Sequence, residues 1–218
     1  MQTWSVCREG LPELASARAT LRELQLSDAS SLLSVLKKPE MRSFVADEPD
    51  SLDGVEKFIE WTHRGRRTGR HLCYGVVPAG GSTAVGLFQV SSMDPMGRTV
   101  EWGFMLDRSL WGCALLQECA GVLVDFVVEA LGVQRLEARV AVSNARGTAA
   151  LHRLGAVREA ILRQCFLING VQTDHAMWSI LASDWNALRP GGEDVQRVPA
   201  PASGTTVPSL PLRPHPTE

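Results

Sequence analysis

Apolar residues recur at every third or fourth position in some stretches of this chain and at every second position in others, and the change of period marks out helices and strands. From Leu115 to Leu131, the positions Leu115, Cys119, Leu123, Phe126, Val127 and Ala130 share one helical face. Gln117, Glu118, Asp125 and Glu129 lie off it, and Gly132 is the stop. Ser51 to about Arg67 predicts a second amphipathic helix, with Leu52, Val55, Phe58, Ile59 and Thr62 on one face, Glu56, Lys57 and Glu60 on another, and Gly69 at its end. Ser27 with Asp28 offers an N-cap for a helix to about Lys37 that Pro39 closes, and a shorter helix spans about Ala145 to Leu154 before Gly155.

The strand-like runs are Ala19 to Leu24, then His71 to Val77, Ala84 to Ser92 and Thr99 to Leu106. The turn-forming Ala79-Gly80-Gly81-Ser82 joins the second to the third, which predicts an antiparallel meander. Arg135 to Val142 alternates Leu136, Ala138, Val140 and Val142 with Arg135, Glu137 and Arg139, the pattern of a half-buried strand. Val157 to Ile168 and Thr173 to Leu181 flank Asn169-Gly170, a strong hairpin signal. Strand, two helices, three strands, long helix, strand, short helix and two strands make an α+β chain around one central mixed sheet.

Composition narrows the function. The 218 residues are 44% hydrophobic and 21% charged, as in one ordinary soluble domain. Lys and Arg number 22 against 24 Asp and Glu, a net charge of −2, so nothing favours a nucleic-acid partner or an acidic membrane; a bound polyanion must be small and locally held. The five cysteines are scattered and never form a C-x-x-C pair, which argues against a disulfide framework and a structural metal site and fits a reducing, cytoplasmic setting. No apolar run is long enough to span a membrane, and the start lacks the apolar core of a signal peptide. Residues 190–218 hold seven of the twelve prolines and few bulky apolar residues, which predicts a disordered tail. The domain is expected over residues 19–189, with residues 1–18 as an N-terminal extension.

Asp107-Arg108-Ser109-Leu110-Trp111-Gly112-Cys113-Ala114-Leu115 runs from a strand into the long helix. Backbone N–H groups at a helix start lack intrahelical partners and sit at the positive end of the dipole, which suits a phosphate or pyrophosphate. A plain strand-to-helix turn reads the same way on this fragment alone.

The wider pattern resembles the RimJ/RimL-type branch of the GNAT N-acetyltransferases. Trp111-Gly112-Cys113-Ala114 is similar to that family's Trp-Gly-x-Gly pyrophosphate loop, with Glu118 one turn into the helix. Arg135-Leu136-Glu137-Ala138-Arg139-Val140, then Asn144, Leu151, Leu154 and Gly155, resemble its next strand and helix. Phe166-Leu167-Ile168-Asn169-Gly170, Asp174-His175 and Trp178-Ser179-Ile180-Leu181 resemble its closing hairpin, and Pro49 with the helix after it its substrate side. The similarity spans roughly Ala19 to Trp185.

The resemblance implies a single-domain GNAT fold, a twisted, mostly antiparallel mixed sheet flanked by helices, and acetyl-coenzyme A as cosubstrate with no metal. It places pantetheine along Phe104, Met105 and Leu106, the pyrophosphate on the amides of Trp111, Gly112, Cys113, Ala114 and Leu115, and Asn144 at the coenzyme or as a helix cap. Arg108 offers a charge-assisted contact to phosphate, against a solvated surface role. Ala114 suits the loop if its dihedrals are helical and is costly if φ must be positive. Glu101 is the candidate base for the acceptor amine; the alternative is a solvated strand-end residue paired with Arg98 or Arg135. Where some relatives carry an acid for the leaving thiolate, this chain has Gly147 and Leu151, which leaves water.

The acceptor implied is a primary amine, foremost a protein N-terminal α-amine, with small molecules such as aminoglycosides or amino acids as alternatives. A catalytically weak acyl-coenzyme A-binding regulatory module is the other class of reading. The oligomeric state is expected to be monomer or homodimer. Arg64, Arg66, Arg67 and Arg70 read as a solvated basic face.

Overall fold

A computed structural model describes residues 4–42, 49–111, 114–168 and 170–188. Eight strands form one sheet in the order β1-β2-β3-β4-β5-β6-β8-β7. They are β1 (Leu14–Ala15), β2 (Ala19–Glu23), β3 (His71–Pro78), β4 (Gly86–Ser92), β5 (Thr99–Leu106), β6 (Arg135–Ala141), β7 (Val157–Ile168) and β8 (Val171–Leu181). The helices are α1 (Ala29–Leu36), α2 (Pro39–Arg42), α3 (Leu52–Arg67), α4 (Leu115–Glu129), α5 (Ala145–Arg153) and α6 (Ala182–Ala187). All neighbouring strands are antiparallel except β5 and β6. No helix among the described residues is long and apolar enough to cross a membrane.

Alternation along the central strands builds two cores, one on each face of the sheet. Leu72, Tyr74 and Val76 of β3, Phe88 and Val90 of β4, and Val100 and Trp102 of β5 pack with Leu115, Cys119, Leu123 and Val127 of α4. The residues between them, Cys73, Val77, Leu87 and Met105, pack with Leu32 and Val35 of α1 and Val55, Phe58 and Ile59 of α3. The predicted helical faces are therefore largely the buried ones, except that Leu52 and Ala130, the latter just beyond the end of α4, are exposed. Gly69, Gly132 and Gly155 take positive φ beyond α3, α4 and α5, where an L side chain is strained.

Three elements differ from the expectation. β1 has only two residues and α2 only four, too short for periodicity to register, and Pro39 both closes α1 and opens α2, because the first turn of a helix needs no N–H from it. The chain after Leu181 turns at once into α6, whose Trp185 Nε1 donates to Asp125 Oδ1 at 2.7 Å. Trp4 and Cys7 are buried in the α4-side core and β1 joins the sheet, so the segment ahead of Ala19 packs onto the domain.

Two charged residues also depart from their expected places. Asp28 takes the N-cap position of α1 but is fully buried, and its side chain bonds elsewhere than to the helix it precedes. Its carboxylate accepts from both terminal nitrogens of Arg22 (2.8 and 2.9 Å), from Gln25 N and from Ala84 N (each 2.8 Å). Arg66 leaves the basic run for the interior, where it donates to Glu23 and to the carbonyls of Cys7 and Arg8.

β7 forms one edge of the sheet. Its pairing with β8 is interrupted between Arg158 and Ala160 and between Leu162 and Phe166, and Gln164 in the second interruption has φ 48°. Asp174, on the face opposite His175, accepts from Gln164 N at 2.8 Å and so secures that interruption. The predicted hairpin joins β7 to β8; Asn169 lies outside the described residues, as does the proline-rich segment from residue 190.

Candidate active site

The sheet opens at Glu101. β5 and β6 pair only at Thr99 with Arg135, Val100 with Leu136 and Glu101 with Glu137. β5 then continues to Leu106 beside β4, and β6 to Ala141 beside β8. A cleft of about 1020 Å³ occupies the gap, lined by Leu116 and Gln117 of α4 and Arg153 of α5 at one end and by Met41 of α2 and His175 of β8 at the other. Because α4 and α5 pack on one face of the sheet and α2 on the other, the cleft connects the two faces.

The strand edge along this gap carries main-chain groups not used by the sheet. Asp107 N donates to Val85 O and Thr99 O accepts from Met93 N, which turns the odd-numbered residues toward β4. Alternation then directs the N–H and C=O of Phe104 and Leu106 toward the gap. Leu106 O already accepts from Trp111 Nε1 at 2.8 Å. Met105 faces the other way: its peptide groups belong to the β4 pairing, and its side chain is buried in the α1 and α3 core.

The loop into α4 is fixed from within. Asp107 Oδ1 accepts from Ser109 N and Ser109 Oγ, each at 2.8 Å, and holds a 3-10 turn over Arg108–Leu110, while Oδ2 meets Lys38 Nζ at 2.5 Å. Arg108 is exposed on that turn, and Leu115 is buried as the first residue of α4. Ala114 has φ −67° and ψ −3°, so the helical condition under which Ala replaces Gly without strain is met. Gly112 and Cys113 lie outside the described residues. Arg146, at the start of α5, stacks its guanidinium 4.7 Å from the centre of the Trp111 ring, bringing a cation to this end of the cleft along with Arg153. Neither arginine stands out in the sequence, since both read as polar positions of a short helix.

Asn144 caps α5 by accepting from Gly147 N at 2.9 Å. A Cβ at Gly147 would lie 2.9 Å from both Asn144 Nδ2 and Val140 Cγ1, so glycine is required by close approach. Gly147→Ala is expected to displace the cap and cost about 1–2 kcal/mol, read as a lower urea midpoint with an unchanged slope.

Glu101 is neither solvated nor paired with Arg98 or Arg135. It is 6% exposed, and its Oε1 accepts from Arg139 Nη1 at 2.8 Å; Arg139 in turn lies 3.9 Å from Glu137. Burial pushes its carboxyl up, Arg139 pulls it down and Glu137 pushes it up again, leaving it at about 7. Arg135 is engaged elsewhere, with Glu137 and Glu159. Glu101 lies behind the cleft wall, and Arg139 is the side chain that connects it to the cleft. Alternation along Arg135, Glu137 and Arg139 was the available signal: it puts these three side chains on one face, here the face that also carries Glu101.

Three further histidines among the described residues are structural or peripheral. His71 is buried against Trp61, with Nδ1 2.7 Å from Ser91 Oγ, and burial takes its imidazole down to about 4. His63 Nε2 lies 2.8 Å from Leu24 O, and His152 is exposed.

The sheet is thus mixed, and its one parallel pair parts over a cleft open to both faces. The acetyltransferase (GNAT) domain family matches residues 18–157, and the chain belongs to that family. It is an N-acetyltransferase. The uncharacterized N-acetyltransferase p20 of Bacillus licheniformis is 24% identical over 173 residues, covering 79% of this chain and 97% of p20. Among solved structures, a ribosomal-protein-S5-alanine acetyltransferase from Vibrio fischeri shares the fold at a TM-score of 0.72 and 18% identity, over 80% of this chain and 99% of that one. RimJ of Mycobacterium smegmatis in complex with CoA-disulfide does so at 0.72 and 18%, over 78% and 88%.

Proposed function

We propose that the protein transfers the acetyl group of acetyl-coenzyme A to a protein N-terminal α-amine by direct attack within a ternary complex. The observation that carries this reading is the parting of β5 and β6 beyond Glu101, which joins a basic opening at α4 and α5 to a buried carboxylate side by one continuous cleft. The RimJ structure with CoA-disulfide and the S5-alanine acetyltransferase support the choice of donor and acceptor class.

The amides of residues 112–115 leading into α4 serve the pyrophosphate, since Trp111 N already donates to Arg108 O at 3.0 Å, with Arg146, Arg153 and the exposed Arg108 supplying positive charge. Phe104 and Leu106 offer the strand edge to pantetheine, and a backbone N–H there serves the developing oxyanion. Asn144 holds α5 in place beside them. Acetyl-coenzyme A brings an activated thioester. The acceptor nitrogen forms the amide bond as the carbon–sulfur bond breaks. Glu101, directly or through water, takes the proton the amine gives up, and water returns one to the thiolate.

Acetyl-coenzyme A at about 100 times its Kd is expected to stabilise the folded chain by about 2.7 kcal/mol, read as a rise in melting temperature. Thiol release with a panel of peptides and amines then measures transfer. A melting temperature unmoved by the cosubstrate removes the proposal.

A further inference from the structure

Three glycines lie inside the strands, where glycine weakens the pairing and has no side chain to pack. Two of them are required by close approach. A Cβ at Gly75 would come within 2.7 Å of Leu24 Cδ2, and one at Gly86 within 2.5 Å of Met105 O. Gly103, in the middle of β5, has no such reason. A Cβ built on it meets nothing within 4 Å among the described residues, its φ is not positive, and the β4–β5 ladder runs past it without a shift of register. With no bulge, no turn and no neighbouring backbone to accommodate, a ligand is what such a glycine leaves room for.

The place of Gly103 says which part of the ligand. It is the second residue past Glu101, just beyond the point where β6 leaves β5, and it lines the cleft. Alternation turns its missing side chain to the face of Glu101 and Met105, and Met105 packs with α1 and α3. That face is opposite α4 and α5, the end given above to the phosphates of the cosubstrate. Arg139 stands as far past Glu137 as Gly103 does past Glu101, but its guanidinium is turned to Glu101 at 2.8 Å and leaves the space open. The peptide groups of Gly103 belong to the β4 pairing, so this space is separate from the strand edge that Phe104 and Leu106 offer to pantetheine.

We propose that the space left by Gly103 receives the side chain of the acceptor's first residue, so that Gly103 is the position that admits an amine carried on a substituted carbon. An N-terminal residue other than glycine has this shape. An unbranched CH2–NH2 group, as in an N-terminal glycine or a lysine side chain, has nothing to place there. The inference rests on the acetyl-transfer reading above and adds to it the shape of the acceptor.

The test compares the full-length protein with its Gly103→Ala and Gly103→Val variants on three peptides that differ only in a glycyl, alanyl or valyl N-terminus. Thiol release gives kcat/KM, calorimetry gives coenzyme A binding, and the melting temperature reports the fold. Gly103→Ala is expected to bind coenzyme A as the wild type does and to melt no lower, because its methyl group enters open space and alanine loses less entropy than glycine on joining a strand. Relative to the glycyl peptide, its rates with the alanyl and valyl peptides fall by about 10- to 200-fold, the range one methylene commands in a fitted pocket. Gly103→Val deepens the loss. Equal losses for all three peptides, in a folded variant that binds coenzyme A, put the acetyl group in that space; they overturn the inference and leave acetyl transfer standing. An unchanged preference among the peptides overturns it as well. So does a Gly103→Ala protein that melts below the wild type, since the glycine then serves the fold. A wild-type protein that binds coenzyme A but turns over none of the peptides removes both the peptide acceptor and this inference, and no heat with coenzyme A removes acetyl transfer with them.

Discussion

Glu101→Gln is expected to lower turnover at pH 7 by about 10²- to 10³-fold while leaving the protein folded. Glutamine keeps the shape and retains an oxygen for Arg139 Nη1, so the loss isolates the charge and the proton. In the wild-type protein the carboxyl at about 7 must be deprotonated to act, so its activity rises with pH through that region. The groups facing it are Arg139 and Glu137 on β6, Ser91 opposite it on β4, and beyond Ser91 the neutral imidazole of His71. Burial keeps His71 uncharged above about 4, so the limb belongs to Glu101, which burial and the nearby Glu137 push up. In the variant this limb disappears and activity recovers as the acceptor amine itself deprotonates above ~8. A thiol-release profile of the same shape in both proteins removes Glu101 as the proton acceptor.

The second large effect is on stability. Asp28→Ala is expected to destabilise the fold by about 3–5 kcal/mol, because it strands a largely buried guanidinium and two backbone N–H groups at once. The carboxylate ties β2 to the start of α1 and to the chain entering β4, and equilibrium urea unfolding measures the loss. Burial of Asp28 pushes its carboxyl up, but the hydrogen bonds from Arg22, Gln25 and Ala84 outweigh this and hold it below its ordinary 3.8. A carboxyl held down in the folded state stabilises most when charged. Its contribution is therefore fully present above about 4 and is lost as pH falls through the lower folded value. A variant as stable as wild type at pH 7, or an equal gap between the two at pH 7 and pH 2, refutes this role.

Much of the fold is legible from period alone. α3 and α4 bury the faces their spacing predicts, because each covers one side of a sheet and needs one apolar stripe. The meander and closing hairpin follow from alternation and turn residues. The gap between β5 and β6 is not legible: Phe104 to Leu106 looks like ordinary strand, and which neighbour a strand loses is decided by distant residues. Glu101 was found through resemblance, but its buried pairing with Arg139 depends on a cross-strand register that joins residues 38 positions apart. Arg139 itself reads as the polar half of an alternating strand, a pattern that ordinarily marks the solvent side.

An outermost strand twelve residues long with Val157, Ile161 and Leu167 exposed has the makings of a template on which another chain could anneal. The two breaks in the β7 ladder divide it into runs too short and too differently twisted to guide a continuous incoming strand. Arg158, Glu159 and Arg163 add charge that a dry seam could not accommodate. Irregularities that weaken the pairing of β7 with its own neighbour thus also guard the protein against fibrous self-association.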